Sequence, residues 1–505
     1  MANSLAGVQA RRRSLGAVLP LGLRERRALL FLGDVAVVVA AMAGAWALWV
    51  TLGAAGQPLG GAAQRWWLSG LAVGWLVVWA ASGGYDLRVA SHGRLAARRL
   101  LATALVLGGV DLAVFFALAV PAVALPVWPV GHRGLALPRL VPSLFIGLAL
   151  AGELAWRSAY PRLLSARRFA RRALVVGAGR AGQMVLEALR EQGDGAYQVV
   201  GFVDDDAAKW GQAVGWRKGS LADARDPGPR VLGDRHALRE LIAEHGVTTL
   251  VLAITHEVDG DLLAALLDCL ELGVEIVPMA VLYEQLTGRV PAEHIGESWY
   301  VAMPIDHPGT GVVWPAVKRL MDVLLASVGL VLFGVALPFI ALAIYVDSPG
   351  PIFYTQERVG KGGRVFRAYK LRSMVPNAEN GGAVWAQKND PRVTRVGRLL
   401  RKAHIDEFPQ FLNILKGEMS AVGPRPERPE FVEELAREIP FYRVRHAVKP
   451  GMAGWGLVKQ GYGASKEDAL LKLQYDLYYI KHQSLWLDLI ILLRTVVDTL
   501  TLRGR

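Results

Sequence analysis

Four long apolar runs near the start of the chain limit what it can fold into more than any other feature. Ala28–Leu52, Trp66–Ser82, Leu100–Leu125 and Leu140–Tyr160 are each long enough to cross a bilayer core as a helix, the second being the shortest. Arginines indicate which connections stay in the cytosol. Arg88, Arg94, Arg98 and Arg99 follow the second run, and Arg162, Arg167, Arg168, Arg171 and Arg172 follow the fourth. The other two connections hold little besides Arg65, Arg133 and Arg139. Residues 28–164 are therefore expected to form a four-span transmembrane bundle with both ends cytosolic. Residues 1–27 form a basic cytosolic segment carrying Arg11, Arg12, Arg13, Arg24, Arg26 and Arg27. The run after it is too long for the apolar core of a signal peptide, so it is expected to be an uncleaved anchor. Asp34, Asp111 and Glu153 fall inside the runs, where an acid first suggests a conduction or proton path. Arg157 stands one turn from Glu153, so structural pairing is the expectation.

Composition fits a membrane chain. Of 505 residues, 53% are hydrophobic, and the net charge is +13. A basic chain with apolar runs suits anionic headgroups and phosphorylated substrates. No basic patch interleaved with aromatic residues points to nucleic acid. The single cysteine, Cys269, excludes an internal disulfide and sits in an apolar run, where a buried structural thiol is expected.

RRALVVGAGRAG, Arg171 to Gly182, has the order strand, glycine turn, helix. Gly177, Gly179 and Gly182 make GxGxxG, and the strand-like YQVVGFV ends beside Asp204, where a ribose-binding acid would stand. LVLAI (Leu250–Ile254) and VEIVP (Val274–Pro278) alternate with helical segments. Residues 170–305 are thus expected to form a Rossmann-like, doubly wound α/β domain. The glycines serve either nucleotide binding or tight strand–helix packing, and spacing leaves both open. The Tyr-x-x-x-Lys pair of short-chain dehydrogenases is absent, because Tyr197, Tyr283 and Tyr300 have Gly201, Thr287 and Pro304 four residues on.

Residues 306–312 are a linker. From Leu320 to Val346 the chain is apolar except for Asp322, long enough at about 1.5 Å per residue to cross a core of about 30 Å. Lys318 and Arg319 precede it, and Arg358, Lys361, Arg364, Arg367, Lys370 and Arg372 follow it. Basic residues at both ends keep both ends on one side. Pro338 lies mid-run, where it removes a helix hydrogen bond and bends the axis. A broken, re-entrant membrane helix over about 317–346 is expected, with a plain fifth span as the alternative. A hairpin is expected around Gly360–Gly363, and Thr394 caps a basic, amphipathic helix suited to the lipid interface or to a domain surface. The last apolar run, Leu485–Leu500, is interrupted by Asp488, Arg494 and Asp498 and suits packing or the interface. His404 and His482 lack metal-ligand spacing, and structural roles are expected.

Within this final part, Asp406 and Glu407 stand side by side, with Pro409 and an apolar-periodic run after them. Proline is tolerated in a first helical turn, so a helix is expected to begin at this pair, its dipole holding Asp406 ionised. Arg401 and Lys402 precede the pair, and Pro424-Arg425-Pro426 follows. Two carboxylates among fixed cations suit a divalent metal with phosphate groups, and oxygen ligands favour Mg²⁺ held by Asp406 and Glu407. A charged helix start followed by a turn accounts for the same spacing. Lys370, Arg372, Arg401 and Arg425 are the candidate phosphate contacts, with lipid headgroups as their other use.

Four segments in order carry a family resemblance: KRLMD at Lys318–Asp322, YKLRSM at Tyr369–Met374, the stretch from Asp406 through Pro426, and KPGMAGWGLV at Lys449–Val458. Together they resemble the bacterial sugar transferases, which are polyprenyl-phosphate glycosyl-1-phosphate transferases. The resemblance covers the final third of the chain and implies a mostly helical, monotopic catalytic domain over 313–505. Lys318, Arg319, Asp322 and Pro338 would then belong to its re-entrant helix and interface. It implies transfer of a sugar 1-phosphate, galactose or glucose, from a UDP-sugar to undecaprenyl phosphate with release of UMP. The site would face the cytosol at the bacterial inner membrane. Asp406 would attack the β-phosphorus to form an aspartyl-phosphosugar, and Glu407 would hold the metal or position Asp406. The large members, which resemble this chain in architecture, imply a regulatory or structural Rossmann-like domain and a homodimer among membrane lipids. Two other classes stay open: a nicotinamide-dependent nucleotide-sugar enzyme, disfavoured by the missing tyrosine–lysine pair, and a non-catalytic membrane organiser, disfavoured by the complete acidic pair and its cations.

Overall fold

The computed structural model describes residues 22–51, 62–119, 140–164, 169–193, 195–214, 228–254, 259–292, 313–376, 378, 390–461 and 465–500. The basic residues Arg11–Arg13, Arg133, Arg139, Arg167 and Arg168, together with Tyr300 and the linker at 306–312, lie outside them. The chain divides into two compact units, with the boundary in sequence between Met279 and Ala280.

The first unit begins with four long helices, α1 (Leu23–Thr51), α2 (Ala62–Ala81), α3 (Gly93–Ala119) and α4 (Leu140–Leu164). Their buried residues recur every three or four positions: Val38, Ala41 and Ala45 on α1, Leu68, Leu71, Trp75 and Trp79 on α2, Leu100, Ala104 and Leu107 on α3, and Val141, Phe145 and Ala149 on α4. That period places one stripe of each helix on a shared core. Of the four, α1 meets the length and hydropathy needed to cross a membrane by itself. The acids predicted inside the runs are paired. Asp34 accepts from Trp79 Nε1 at 3.0 Å and from Arg157, and Asp111 accepts from Trp67 Nε1 at 2.9 Å. Arg157 favours Asp34, on a different helix, over its neighbour Glu153, whose carboxylate stands 3.9 Å away.

A five-stranded, all-parallel sheet follows: β1 (Arg171–Val176), β2 (Tyr197–Val203), β3 (Val231–Gly233), β4 (Thr249–Leu252) and β5 (Glu275–Pro278), in the order β3-β2-β1-β4-β5. The intervening helices are α5 (Arg180–Gln192), α6 (Leu238–His245) and α7 (Gly260–Glu271). Central β1 carries ALVV because both faces of a parallel sheet are covered, and Ala173, Leu174 and Val175 are fully buried. Cys269 lies in this core with no disulfide, and burial pushes its thiol up to about 11, as suits an inert structural cysteine.

The second unit opens within α8 (Met279–Thr287), which the sequence places with the sheet domain. Its partners are downstream instead. Glu284 accepts from Lys481 Nζ at 2.9 Å and meets His482 Nε2 at 3.1 Å, and Val290 N donates to the Gln474 carbonyl at 3.1 Å. A 35-residue helix, α9 (Val313–Asp347), comes next and is long and apolar enough to cross a membrane. It is helical through Pro338, so the interruption expected there is absent. Pro338 has no N–H to give the Gly334 carbonyl four residues back, so the helix continues with that bond missing.

α9 has two faces. Asp322, Ala326, Phe333 and Ile344 are buried against the rest of the unit, whereas Leu320, Leu324, Val328, Val331, Val335, Phe339, Leu342 and Val346 form an exposed apolar stripe. The hairpin β6 (Phe353–Val359) and β7 (Val365–Leu371) turns at Gly360–Gly363 as expected, with Gly362 and Gly363 at φ of 67° and 77°. α10 (Arg395–Lys402), α11 (Phe411–Lys416), β8 (Ser420–Val422), α12 (Pro429–Glu438), β9 (Gly451–Ala453), α13 (Trp455–Gln460), α14 (Lys466–Lys481) and α15 (Leu485–Leu500) complete the unit. β8 and β9 pair in parallel, and Thr394 caps α10 through a 3.0 Å bond from Gly397 N.

Candidate active site

Asp406 and Glu407 sit between α10 and α11. α10 stops at Ala403, His404 turns the chain with φ of 55°, and a 3₁₀ turn over Ile405–Gln410 carries the acidic pair. Pro409 fits such a tight turn, and the α-helix begins only at Phe411. The expectation of an α-helical start at the pair is corrected accordingly. α9 seats this turn: Phe333 meets Phe408 edge to face at 6.2 Å, and a side chain on Gly329 would press into the Phe411 ring.

The two carboxylates are differently placed. Glu407, 5% exposed, is clamped by two cations. Arg425 grips it with both prongs, Nη2 to Oε1 at 2.6 Å and Nη1 to Oε2 at 3.1 Å, and Lys370 Nζ reaches Oε1 at 2.8 Å. Burial alone would raise its pKa, but Arg425 and Lys370 overcome that and hold Glu407 well below the usual carboxylate range. Asp406, 8% exposed, accepts no hydrogen bond from the described residues. Burial and the adjacent Glu407 charge push it up to about 6, against the pull of Lys370, Arg401 and Arg425. Desolvation therefore outweighs the helix dipole that the sequence suggested would hold Asp406 ionised.

The other predicted residues divide. Arg401, at the end of α10, lies close enough to act on both Asp406 and Asp390. Arg372 is engaged elsewhere, donating to the carbonyls of Ser348 and Pro349 just past α9. Lys318 pairs with Asp488 at 2.7 Å, Arg319 donates to the Ile414 and Leu415 carbonyls at 2.6 Å each, and Asp322 accepts from Ser420 Oγ and Ala421 N at 2.9 Å each. His482 has the structural partner expected of it, Glu284.

A supporting layer escaped the sequence. Arg445 donates to the Arg425 carbonyl at 2.9 Å, to Asp476 at 2.8 Å and to Tyr442 Oη at 2.6 Å, which fixes the backbone behind Arg425. Arg358 donates to the Pro426 carbonyl at 3.1 Å and stands 3.7 Å from Glu427. Apart from Arg445 and Tyr442, three residues apart, these pairs join positions 20 to 69 residues apart, and no local spacing announces them.

In the first unit, Gly177 needs its φ of 106°, and a side chain there would meet the Ala253 carbonyl at 2.8 Å. Gly182 closes directly on the Gly177 carbonyl, whereas a side chain on Gly179 would meet nothing within 4 Å. Asp204 accepts from Ala178 N at 2.8 Å, Lys209 Nζ at 3.0 Å and Asp206 N at 3.1 Å. The acid that a ribose would require is thus tied to the glycine turn itself.

A magnesium ion chelated by both carboxylates does not fit this arrangement, since Glu407 already holds two cations through both oxygens. Among the described residues, no three or more His, Cys, Asp or Glu side chains converge. Asp406 alone fits as one ligand beside phosphate oxygens, a usual way for Mg²⁺ to bind.

Residues 313–502 match the family described as bacterial sugar transferase. The chain is 48% identical over 218 residues to a UDP-N-acetylgalactosamine-undecaprenyl-phosphate N-acetylgalactosaminephosphotransferase of Aeromonas hydrophila, covering 43% of this chain and half the length of that relative. It is 43% identical over 186 residues to a UDP-glucose:undecaprenyl-phosphate glucose-1-phosphate transferase of Caulobacter vibrioides, covering 36% of this chain and 70% of the relative. It is 39% identical over 197 residues to the exopolysaccharide production protein PSS of Rhizobium leguminosarum bv. phaseoli, covering 37% of this chain and 96% of that one. With nearly the whole of one relative covered by this chain, and the clamped acidic pair inside the family match at 313–502, the chain belongs to the bacterial sugar transferase family.

Proposed function

We propose that the protein transfers a sugar 1-phosphate from a UDP-sugar to undecaprenyl phosphate. The observation that carries this reading is Asp406: a buried carboxylate that accepts no hydrogen bond from the described residues and feels the charges of Lys370, Arg401 and Arg425. Asp406 lies inside the family match at 313–502, and two relatives named for such transfers are 48% and 43% identical to this chain over 218 and 186 residues.

In the first step, an Asp406 oxygen attacks the β-phosphorus, and the bond from that phosphorus to the bridging oxygen breaks. UMP leaves with the electron pair, and the sugar phosphate stays on Asp406. In the second, an oxygen of the lipid phosphate attacks the same phosphorus and the bond to Asp406 breaks, which restores the carboxylate and forms the diphosphate. Approach of one anion to another is the main electrostatic obstacle. Arg425 and Lys370, kept in place by Glu407 before substrate arrives, would share their donors with the phosphate oxygens on which charge develops. Glu407 thus positions the cations. Mg²⁺, held by Asp406 and diphosphate oxygens, would neutralise phosphate charge.

The reading includes a membrane topology with four spans in the first unit and α9 re-entrant, its ends both cytosolic. Contacts along α9 support it. Asp322 near one end and Asp347 at the other both bond the same unit, the latter through Val396 N at 2.8 Å, as does Phe333 between them.

Purified protein given a UDP-sugar without lipid tests the chemistry. It should release one equivalent of UMP and gain the mass of the phosphosugar. A panel including UDP-glucose, UDP-galactose and UDP-N-acetylgalactosamine identifies the sugar. UMP release that requires lipid phosphate, with no mass gain, would replace this route with direct transfer. Single cysteines at 317 and 350 in a Cys269→Ala background should both label from the cytosolic side, and labelling of 350 from outside alone would make α9 a plain span.

A further inference from the structure

The cations beside Asp406 face carboxylates, but another group of cations near the start of α9 is poorly balanced. Lys449, just before β9, and Arg319 converge on the turn at Gly417. A methyl group on Gly417 would stand 3.4 Å from Lys449 Nζ and 3.8 Å from the Arg319 guanidinium carbon. The charged groups acting on Lys449 are Arg319, Lys361 and Lys318, with Asp322 the one acid among its principal neighbours. Asp322 is occupied by Ser420 Oγ and Ala421 N, and Lys318 by Asp488. Four cations therefore stand against two acids that are both engaged, and Lys449 has no hydrogen-bond or ion-pair partner among the described residues. Burial, then the neighbouring cations, hold the Lys449 ammonium below its usual range.

Packing like charges on a half-buried turn costs free energy unless an anion completes the group. An ammonium and a guanidinium meeting at one point match phosphate oxygens. The surroundings indicate what the phosphate is attached to. The exposed apolar stripe of α9 starts at Leu320, the neighbour of Arg319, and continues one turn on at Leu324. α15, joined here through Lys318 and Asp488, exposes Leu485, Trp486 and Leu489. The group of cations is thus flanked by exposed apolar side chains.

We propose that Lys449, Arg319 and Lys361 bind the phosphate of an anionic membrane phospholipid whose acyl chains lie along Leu320 and Leu324. The acceptor lipid offers the same chemistry, but it must present its phosphate at Asp406. Arg319 precedes Phe333, the residue that touches Phe408, by 14 positions, or about 21 Å along the helix. The site is therefore separate from the transfer chemistry, and it stands or falls independently of it.

Native mass spectrometry of the delipidated full-length protein, titrated with phosphatidylglycerol, tests the proposal. Wild-type protein should retain this lipid in preference to phosphatidylcholine. Lys449→Met, which keeps the apolar stem, should bind it about five-fold more weakly, the scale of one basic residue at an anionic surface. Lys449→Arg should restore binding. Lys361→Gln, on an exposed turn that tolerates change, should weaken it less and serves if Lys449→Met misfolds. Both variants should turn over normally at saturating substrates in phosphatidylcholine. Equal retention by wild type and both variants would overturn the proposal, as would equal retention of phosphatidylcholine. Displacement of phosphatidylglycerol by equimolar inorganic phosphate would make the site one for free phosphate, and tighter binding of polyprenyl phosphate would make it the acceptor's; either result overturns the phospholipid assignment.

Discussion

Asp204 and Asp406 both stand where a sequence motif anticipates chemistry, and the fold treats them in opposite ways. Asp204 closes inward, accepting from the Ala178 and Asp206 amides and from Lys209, and these bonds hold its pKa low against the desolvation that raises it. Asp406 accepts nothing from the described residues and is pushed up to about 6, while its neighbour Glu407 absorbs the nearby cations. A carboxylate whose lone pairs are taken contributes to stability; one left desolvated and unbonded costs stability and is available to react.

The largest effect that would break this contrast belongs to Asp406→Asn. Transfer and acceptor-independent UMP release should fall by about 10⁴-fold or more, the scale of losing a nucleophile. The same variant should melt at a higher temperature at pH 7. The folded carboxyl titrates near 6 against an ordinary 3.8, so its charge destabilises the fold above about pH 6. The advantage of the amide should shrink as pH falls from 6 towards 3.8, followed by thermal melting across that range. A variant that is inactive but no more stable would refute the account of Asp406 as a strained, unpaired acid.

Arg425→Ala should lower UMP release by about 10²-fold, as loss of one donor to a developing anion does. Lys370→Met should act in the same direction. Unchanged rates in both would show that their role ends with Glu407.

A smaller shift sharpens the comparison further. Without Mg²⁺, Asp406 should ionise as pH rises through about 6, and Mg²⁺ should move the acid limb of UMP release below that. Glu407→Gln removes the like charge that raises Asp406 and releases Lys370 and Arg425 to act on it, so the acid limb should move to lower pH. A limb that stays in place would mean that Glu407 does not tune its neighbour.

The smallest effect on catalysis is expected from Asp204→Asn. It should leave turnover unchanged and weaken the sheet domain by about 1–2 kcal/mol, through bonds to the glycine turn. Loss of activity in a folded variant would give that domain a part in the chemistry.

The sequence disclosed what repeats or clusters locally. Apolar periodicity located the long helices, glycine spacing marked the βαβ turn and the hairpin, and adjacent acids marked the site. Features set by distant partners were hidden. Arg372 looked like a phosphate ligand, yet it holds the carbonyls past α9. Asp406 next to Pro409 suggested a helix start, yet a 3₁₀ turn and burial reversed the direction of its titration. Arg445 drew no notice because Asp476, its counter-ion, comes 31 residues later. Pro338 suggested a break, and the backbone continues through it beside Gly334.

The buried Asp322 of α9 also has a history in time. Its partner Ser420 lies 98 residues later in the chain, and Asp488, the partner of the adjoining Lys318, 170 residues later. At a synthesis rate of about 5–20 residues per second, the first delay lasts roughly 5–20 s. Throughout that interval the ribosome has delivered an apolar helix with an uncompensated acid on the face destined for protein. Its neighbours must arrive before that face can close, so the apolar helix is completed by residues that are translated after it.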